Sequence, residues 1–183
     1  MAARAAAAKS AVASDLLLPD HVVAFYEENE ADTYDADATQ AMFIVRALAQ
    51  RLNDVSTIWL EGFELTPLSF QVLARLRAEP DGALALGAIA RGLHTRAATM
   101  TSLIDGLERD GLIRRLAHAT DRRATLAALT PKGTKLIAKA SRSQHHHYTL
   151  MMESIPKRDR KTLRKTLLAV ADGLMREKER LRS

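Results

Sequence analysis

Cysteine is absent from this 183-residue chain. That excludes disulfides, thiolate zinc sites, iron–sulfur clusters and any sensor that works by thiol oxidation, and it fits a cytoplasmic protein. Chain breakers are scarce, with 8 Gly and 5 Pro, and aromatic residues make up only 4% of the chain. No run approaches the roughly 20 apolar residues needed to span a bilayer, so no membrane is expected. Ala11-Val12-Ala13 superficially resembles a signal-peptidase site, but Lys9 interrupts the apolar stretch that secretion requires. Catalytic signatures are missing as well: there is no phosphate-cradling glycine loop, no nucleophile elbow and no paired metal motif. An enzyme is therefore not expected, and neither is a cofactor.

What is present is Ala, Leu, Arg and Glu in abundance, the composition of a helical protein. Hydrophobic residues make up 47% and charged residues 27%, with a net charge of +5. The sum conceals an asymmetry. From Asp15 to Asp37 there are eight acidic residues and no Lys or Arg, so the remainder carries +13. A basic body with an acidic arm points to a polyanion partner. Residues 1–37 are read as an Ala-rich and then acidic N-terminal arm, partly disordered, whose Leu16, Leu17, Leu18, Val22, Val23 and Phe25 offer docking groups.

From Ala38 the apolar spacing becomes regular. Ala38, Ala41, Val45, Leu48, Leu52, Val55 and Trp59 alternate steps of three and four, the signature of a long helix with one apolar seam. A second seam runs through Leu163, Leu167, Val170, Leu174 and Leu181, with Pro156 expected at the start of its helix. Pro131 opens a third long helix, whose apolar side includes Leu136, Ala140, His147 and Met151.

The middle of the chain has a different texture. Thr66-Pro67 supplies an N-cap and first helical residue for a helix through Phe70, Val72, Leu73 and Leu76, ending at Pro80-Asp81-Gly82. A short helix with Leu86, Ile89, Ala90 and Leu93 follows. After a tight turn comes another, carrying Met100, Leu103, Ile104 and Leu107 and ending in Asp110-Gly111, where glycine takes the left-handed cap. Two short helices with a turn of three or four residues make a helix-turn-helix. Leu112–Leu116 and Ala124–Leu129 then read as strands flanking the basic loop 117–123, a wing. Between Ala85 and Lys135 nine Lys and Arg face four acids.

These residues resemble the MarR family of winged-helix transcriptional regulators. The resemblance rests on Leu65-Thr66-Pro67, Leu107-Glu108-Arg109-Asp110-Gly111-Leu112-Ile113, Asp121-Arg122-Arg123 and Leu129-Thr130-Pro131-Lys132-Gly133. It implies a mainly α fold with a small β-hairpin wing, in which 38–64 is an N-terminal dimerisation helix, 65–130 the winged helix-turn-helix domain and 131–183 the C-terminal dimerisation helices. It also implies a cytoplasmic homodimer bound to a pseudo-palindromic DNA operator, a repressor released by a small aromatic or anionic effector. Three positions depart from the family pattern: His94 stands where Gly is frequent, Arg96 where a capping Ser or Asp is frequent, and Ala124 where a Ser is usual. Thr95 is the better capping group and is expected to be the N-cap.

With the apolar row turned inward, the recognition helix presents Thr95, Arg96, Thr99, Thr101 and Ser102 to DNA. In the wing, the resemblance implies that Arg123 enters the minor groove and that Asp121 pairs with Arg115, while Arg122 meets a phosphate. Trp59, Phe63 and Phe70 lie where the family's effector pocket would be. Apolar packing accounts for the same three residues fully. His145-His146-His147 invites a metal reading, but neighbours on a helix diverge by ~100° and do not converge on one ion, so no metal site is expected. The competing functions are a helical interaction module without DNA binding, in which the wing arginines serve no purpose, and a metal-responsive regulator of the same fold.

Overall fold

The computed structural model describes residues 16–30, 32–117 and 125–183. The elements run α1 (Asp20–Asn29), α2 (Ala36–Glu61), α3 (Pro67–Ala78), β1 (Ala83–Ala85), α4 (Leu86–Gly92), α5 (Ala97–Arg109), β2 (Ile113–Ala117), β3 (Thr125–Leu129), α6 (Pro131–Met151) and α7 (Arg160–Arg180). The expected fold class holds: long helices surround a helix-turn-helix (α4 and α5) and its hairpin wing (β2 and β3).

α3 begins where its sequence says it should. The Thr66 hydroxyl accepts from the Ser69 N–H at 3.1 Å, and the Ser69 hydroxyl accepts from the Thr66 N–H at 2.8 Å, a capping box with Pro67 at the first helical position. Its inward row Phe70, Val72, Leu73 and Leu76 is buried. Around it close Leu60 from the end of α2, Ile89 from α4, Met100, Ile104 and Leu107 from α5, Ile113 from β2, and Ile137 and Ala140 from α6. The core therefore sits between residues 60 and 140, under the helix-turn-helix.

The sheet is antiparallel in the order β1-β3-β2. β1 was not anticipated, because Ala83-Leu84-Ala85 has no intrinsic strand preference. Its conformation is imposed by pairing with β3, Ala83 opposite Ala128 and Ala85 opposite Leu126. β2 runs one residue later than expected at both ends, β3 ends at Leu129 as expected, and residues 118–124, with the loop tip and Ala124, lie outside the described residues.

The ends of the chain bring two further differences. The acidic arm contains a helix, α1. Ahead of it Leu18 is buried and donates its N–H to Gln40 Oε1 at 3.0 Å, while Tyr26 stacks on Tyr34 with ring centroids 5.2 Å apart. Pro156 is not at the start of α7. That helix begins at Arg160, and Pro156 opens the preceding turn, its carbonyl accepting from the Asp159 N–H. Arg160 reaches back to the carbonyls of Ile155 and Met152, which fixes the α6–α7 corner.

Along α2 only Leu60 is buried, and along α7 no residue is. Their apolar seams lie open: Leu48, Leu52, Val55 and Ile58 on α2, and Leu167, Leu168, Leu174 and Met175 on α7, are all exposed. Among the described residues no helix is long and apolar enough to cross a membrane.

Candidate nucleic-acid interface

α4 ends in a Schellman turn. The His94 N–H bonds the Arg91 carbonyl and the Thr95 N–H bonds the Ala90 carbonyl, which places His94 in the left-handed region at φ 50°. That explains why glycine suits this position: a Cβ is disfavoured there. The turn also overrides the expected cap. Arg96, extended at φ −66° and ψ 144°, is the N-cap of α5 and makes no side-chain capping bond. Thr95 points back instead, its hydroxyl donating to the Leu93 carbonyl at 3.1 Å.

α5 then divides cleanly. Met100, Ile104 and Leu107 are buried, Leu103 is packed against the core, and Arg96, Thr99, Thr101 and Ser102 are exposed on the outside. Thr95 is half-buried in the turn. The Thr101 and Ser102 hydroxyls donate to the carbonyls of Ala97 and Ala98 one turn back, which leaves their lone pairs outward. The residues expected to read DNA are thus exposed on the outer and flanking sides of α5, with the exception of Thr95.

Arg115 on β2 does something the sequence reading missed. Its Nη2 donates to Asp105 Oδ1 and its Nη1 to Glu108 Oε2, both at 2.5 Å, and its backbone N–H donates to Glu108 Oε1 at 3.0 Å. Hydrogen bonding to Asp105 first, and then to Glu108, raises the guanidinium above its ordinary pKa. Two effects follow. The wing strand is tied to α5 at two points, and one guanidinium, shared between Asp105 and Glu108, offsets one of the two negative charges that α5 carries there. The seven-residue separation of Glu108 and Arg115 across the Gly111 turn was the available signal. Asp121, Arg122 and Arg123 lie outside the described residues.

The Leu129-to-Gly133 motif locks this unit to the long helix behind it. Thr130 caps α6 through the Gly133 N–H at 3.0 Å, and its hydroxyl donates to the Gly111 carbonyl at 2.7 Å. Lys132 Nζ donates to the Asp110 carbonyl at 2.7 Å. A Cβ on Gly133 would stand 2.0 Å from the Leu112 carbonyl oxygen, so only glycine lets the two segments meet.

Trp59, Phe63 and Phe70 do come together: Trp59 meets Phe63 and Phe70 edge-on at 6.2 and 5.4 Å. His147 stacks on Trp59 at 6.0 Å, half-buried rather than on a fully buried stripe, while His145 and His146 are exposed. Trp59 Nε1 is buried and has no hydrogen-bond partner among the described residues. Among the described residues no group of three or more His, Asp or Glu side chains is placed to hold a metal ion.

The sequence profile of the MarR family matches residues 65–125. Two Bacillus subtilis (strain 168) proteins are similar. The HTH-type transcriptional repressor YetL is 30% identical over 106 residues, 56% of this chain and 64% of YetL. The uncharacterized HTH-type transcriptional regulator YhbI is 31% identical over 96 residues, 52% of this chain and 61% of YhbI. This chain thus spans somewhat under two thirds of either relative. Among solved structures, the Staphylococcus aureus MepR–DNA complex superposes with a TM-score of 0.67 at 23% identity, covering 72% of this chain and 96% of MepR. A MarR-family regulator from Rhodococcus sp. RHA1 superposes with a TM-score of 0.66 at 23% identity, covering 75% and 96%. At these identities the structures speak for the fold.

Proposed function

We propose, from the match of the MarR-family profile to residues 65–125, that this chain is a MarR-family winged-helix protein and a DNA-binding transcriptional regulator, a repressor working as a homodimer on a pseudo-palindromic site. The observation that carries this reading is the outer face of α5. Its exposed Arg96, Thr99, Thr101 and Ser102 stand beside a basic hairpin strapped to the same helix through Arg115. Residues near the start of such a helix reach base edges in the major groove, and wing residues reach the adjacent minor groove. In this reading Arg123 enters that groove and Arg122 meets a phosphate.

Dimerisation is supported by the open seams of α2 and α7. Ile58 is 66% exposed, Leu168 59% and Leu174 51%, more apolar surface in two contiguous rows than a lone chain leaves uncovered. A second copy of the chain supplies the matching rows, and the two-fold axis spaces the recognition helices about one DNA turn, roughly 34 Å, apart.

The test is fluorescence anisotropy with the duplex upstream of the protein's own gene against a scrambled duplex of equal composition. Binding to the former is expected to be tighter by about a thousandfold or more and to weaken steeply with salt. Equal affinity for both at one salt concentration defeats the reading. Arg123→Ala is expected to cost at least about tenfold in affinity, some 1.4 kcal/mol.

Ligand release is the finer part of the proposal. Its support is the unpartnered Nε1 of Trp59 among Phe63, Phe70 and His147, a donor suited to an anionic aromatic molecule. Trp59 is the sole tryptophan, so titration with salicylate reads this site through its fluorescence. A flat emission spectrum together with unchanged DNA affinity sets the effector aside.

A further inference from the structure

The far end of α7 returns to the helix-turn-helix. There a cleft of about 540 Å³ is walled on one side by Gly87, Arg91, His94 and Thr95, and on the other by Lys178 and Arg182. Among the described residues no carboxylate lines it. Lys178 lies in the last turn of α7 and Arg182 in the turn that follows the helix, where its N–H bonds the Glu179 carbonyl. Glu177 and Glu179 flank Lys178 and neither is in the wall; Glu177 is engaged by Arg180 at 2.6 and 2.7 Å. A further cation, the Arg75 guanidinium, packs over Gly92 at the end of α4.

Arg91, Lys178 and Arg182 are exposed and line one cleft, so their positive potentials add there, and a negative group entering the cleft is attracted by all three. We infer that this cleft is an anion site for a backbone phosphate of bound DNA, held by Arg91 and by Lys178 and Arg182 from the C-terminal helix. This rests on the DNA-binding reading above and extends it to a region with no part in reading bases. In a helix-turn-helix the first helix and the turn run along the DNA backbone, and the cleft opens on that turn through His94 and Thr95. The positive charge of the C-terminal segment then belongs partly to the DNA footprint, rather than serving only to solvate the dimer helices. A phosphate contact carries no sequence information, so the clamp adds affinity and fixes register without altering preference.

The experiment measures binding of the full chain to the upstream duplex and to the scrambled duplex between about 50 and 200 mM salt, comparing wild type with Lys178→Gln/Arg182→Gln. One phosphate lost per protomer lowers the slope of log affinity against log salt by about 2 in the dimer, and weakens both duplexes by the same factor. Arg91→Gln, on the α4 wall and away from the dimerisation seams, is expected to reproduce the change with the dimer intact in sedimentation. Unchanged slopes in both variants overturn the phosphate clamp. Loss confined to the upstream duplex overturns it too, because that assigns these residues to base reading. A wild type that fails to prefer the upstream duplex sinks the underlying DNA-binding reading instead, so the two failures are distinguishable.

Discussion

A left-handed backbone costs an L-residue about 1–2 kcal/mol, and this chain accepts that cost at Glu64, φ 55°, and at His94, φ 50°. Both close Schellman turns, Glu64 through its own N–H to the Glu61 carbonyl and the Leu65 N–H to the Leu60 carbonyl. Gly111, φ 69°, does the same at the end of α5 without penalty. Glu64 is exposed and a glycine there loses no contact, so Glu64→Gly is expected to stabilise the fold by about 0.5–1 kcal/mol, the relief of strain exceeding the extra chain entropy. Thermal melting should rise by about 1–4 °C, and a lower melting temperature would contradict the strain argument. Arg115 is the other residue on which much depends. Arg115→Ala leaves Asp105 and Glu108 uncompensated beside the reading face and frees the wing strand from α5. DNA affinity is expected to fall at least as far as for Arg123→Ala, and raising salt, which screens the two carboxylates, should narrow the gap to wild type. A variant that binds like wild type at low salt would show that the brace is dispensable.

At the scale of elements, the decisive joint is between the end of α5 and the start of α6. Thr130, Lys132 and Gly133 grip the Asp110-to-Leu112 turn through hydrogen bonds and one close backbone approach. This joint links the reading helix to the long helix that carries the C-terminal half, so any movement between lobes has to pass through it. Gly133→Ala drives a methyl into the Leu112 carbonyl and forces the backbone to shift, at a cost of about 1–3 kcal/mol. Urea unfolding should show a lower midpoint with unchanged slope, and an unaltered midpoint would mean that the approach is looser than the geometry shows. The run Leu129-Thr130-Pro131-Lys132-Gly133 is legible in the sequence as a cap and a helix start. What Lys132 and Gly133 do is not, because both act on a turn some twenty residues away.

At the scale of the whole molecule, the main buried cluster ends near residues 60 and 140, and beyond it α2 and α7 carry unclosed apolar rows. Covering one leucine is worth about 1.5–3 kcal/mol, and a two-fold axis counts it twice. Leu174→Asp, outside the core, is therefore expected to weaken self-association by about 3 kcal/mol or more, at least a hundredfold, while the helical circular dichroism persists. Sedimentation at micromolar concentration checks this, and a wild type that runs as a monomer would refute it.

Sequence alone determined the elements whose signals are local. Periodicity of three and four gave the long helices, Thr66-Pro67 and Thr130-Pro131 gave two helix starts, and Gly111 gave a helix end, since caps and seams depend on neighbours within a turn or two. Tertiary structure decided what depends on distant partners. The β1 strand exists only because β3 pairs with it. The cap of α5 moved to Arg96 because the left-handed turn at His94 swings the Thr95 hydroxyl backward. Folding brings Arg115 to Asp105 and Glu108 and sets Lys178 and Arg182 along one cleft with Arg91; of these, only the step from Glu108 to Arg115 across the Gly111 turn left a trace in the sequence. A side chain's type fixes what it can bond, but only the packed fold fixes which group lies within reach.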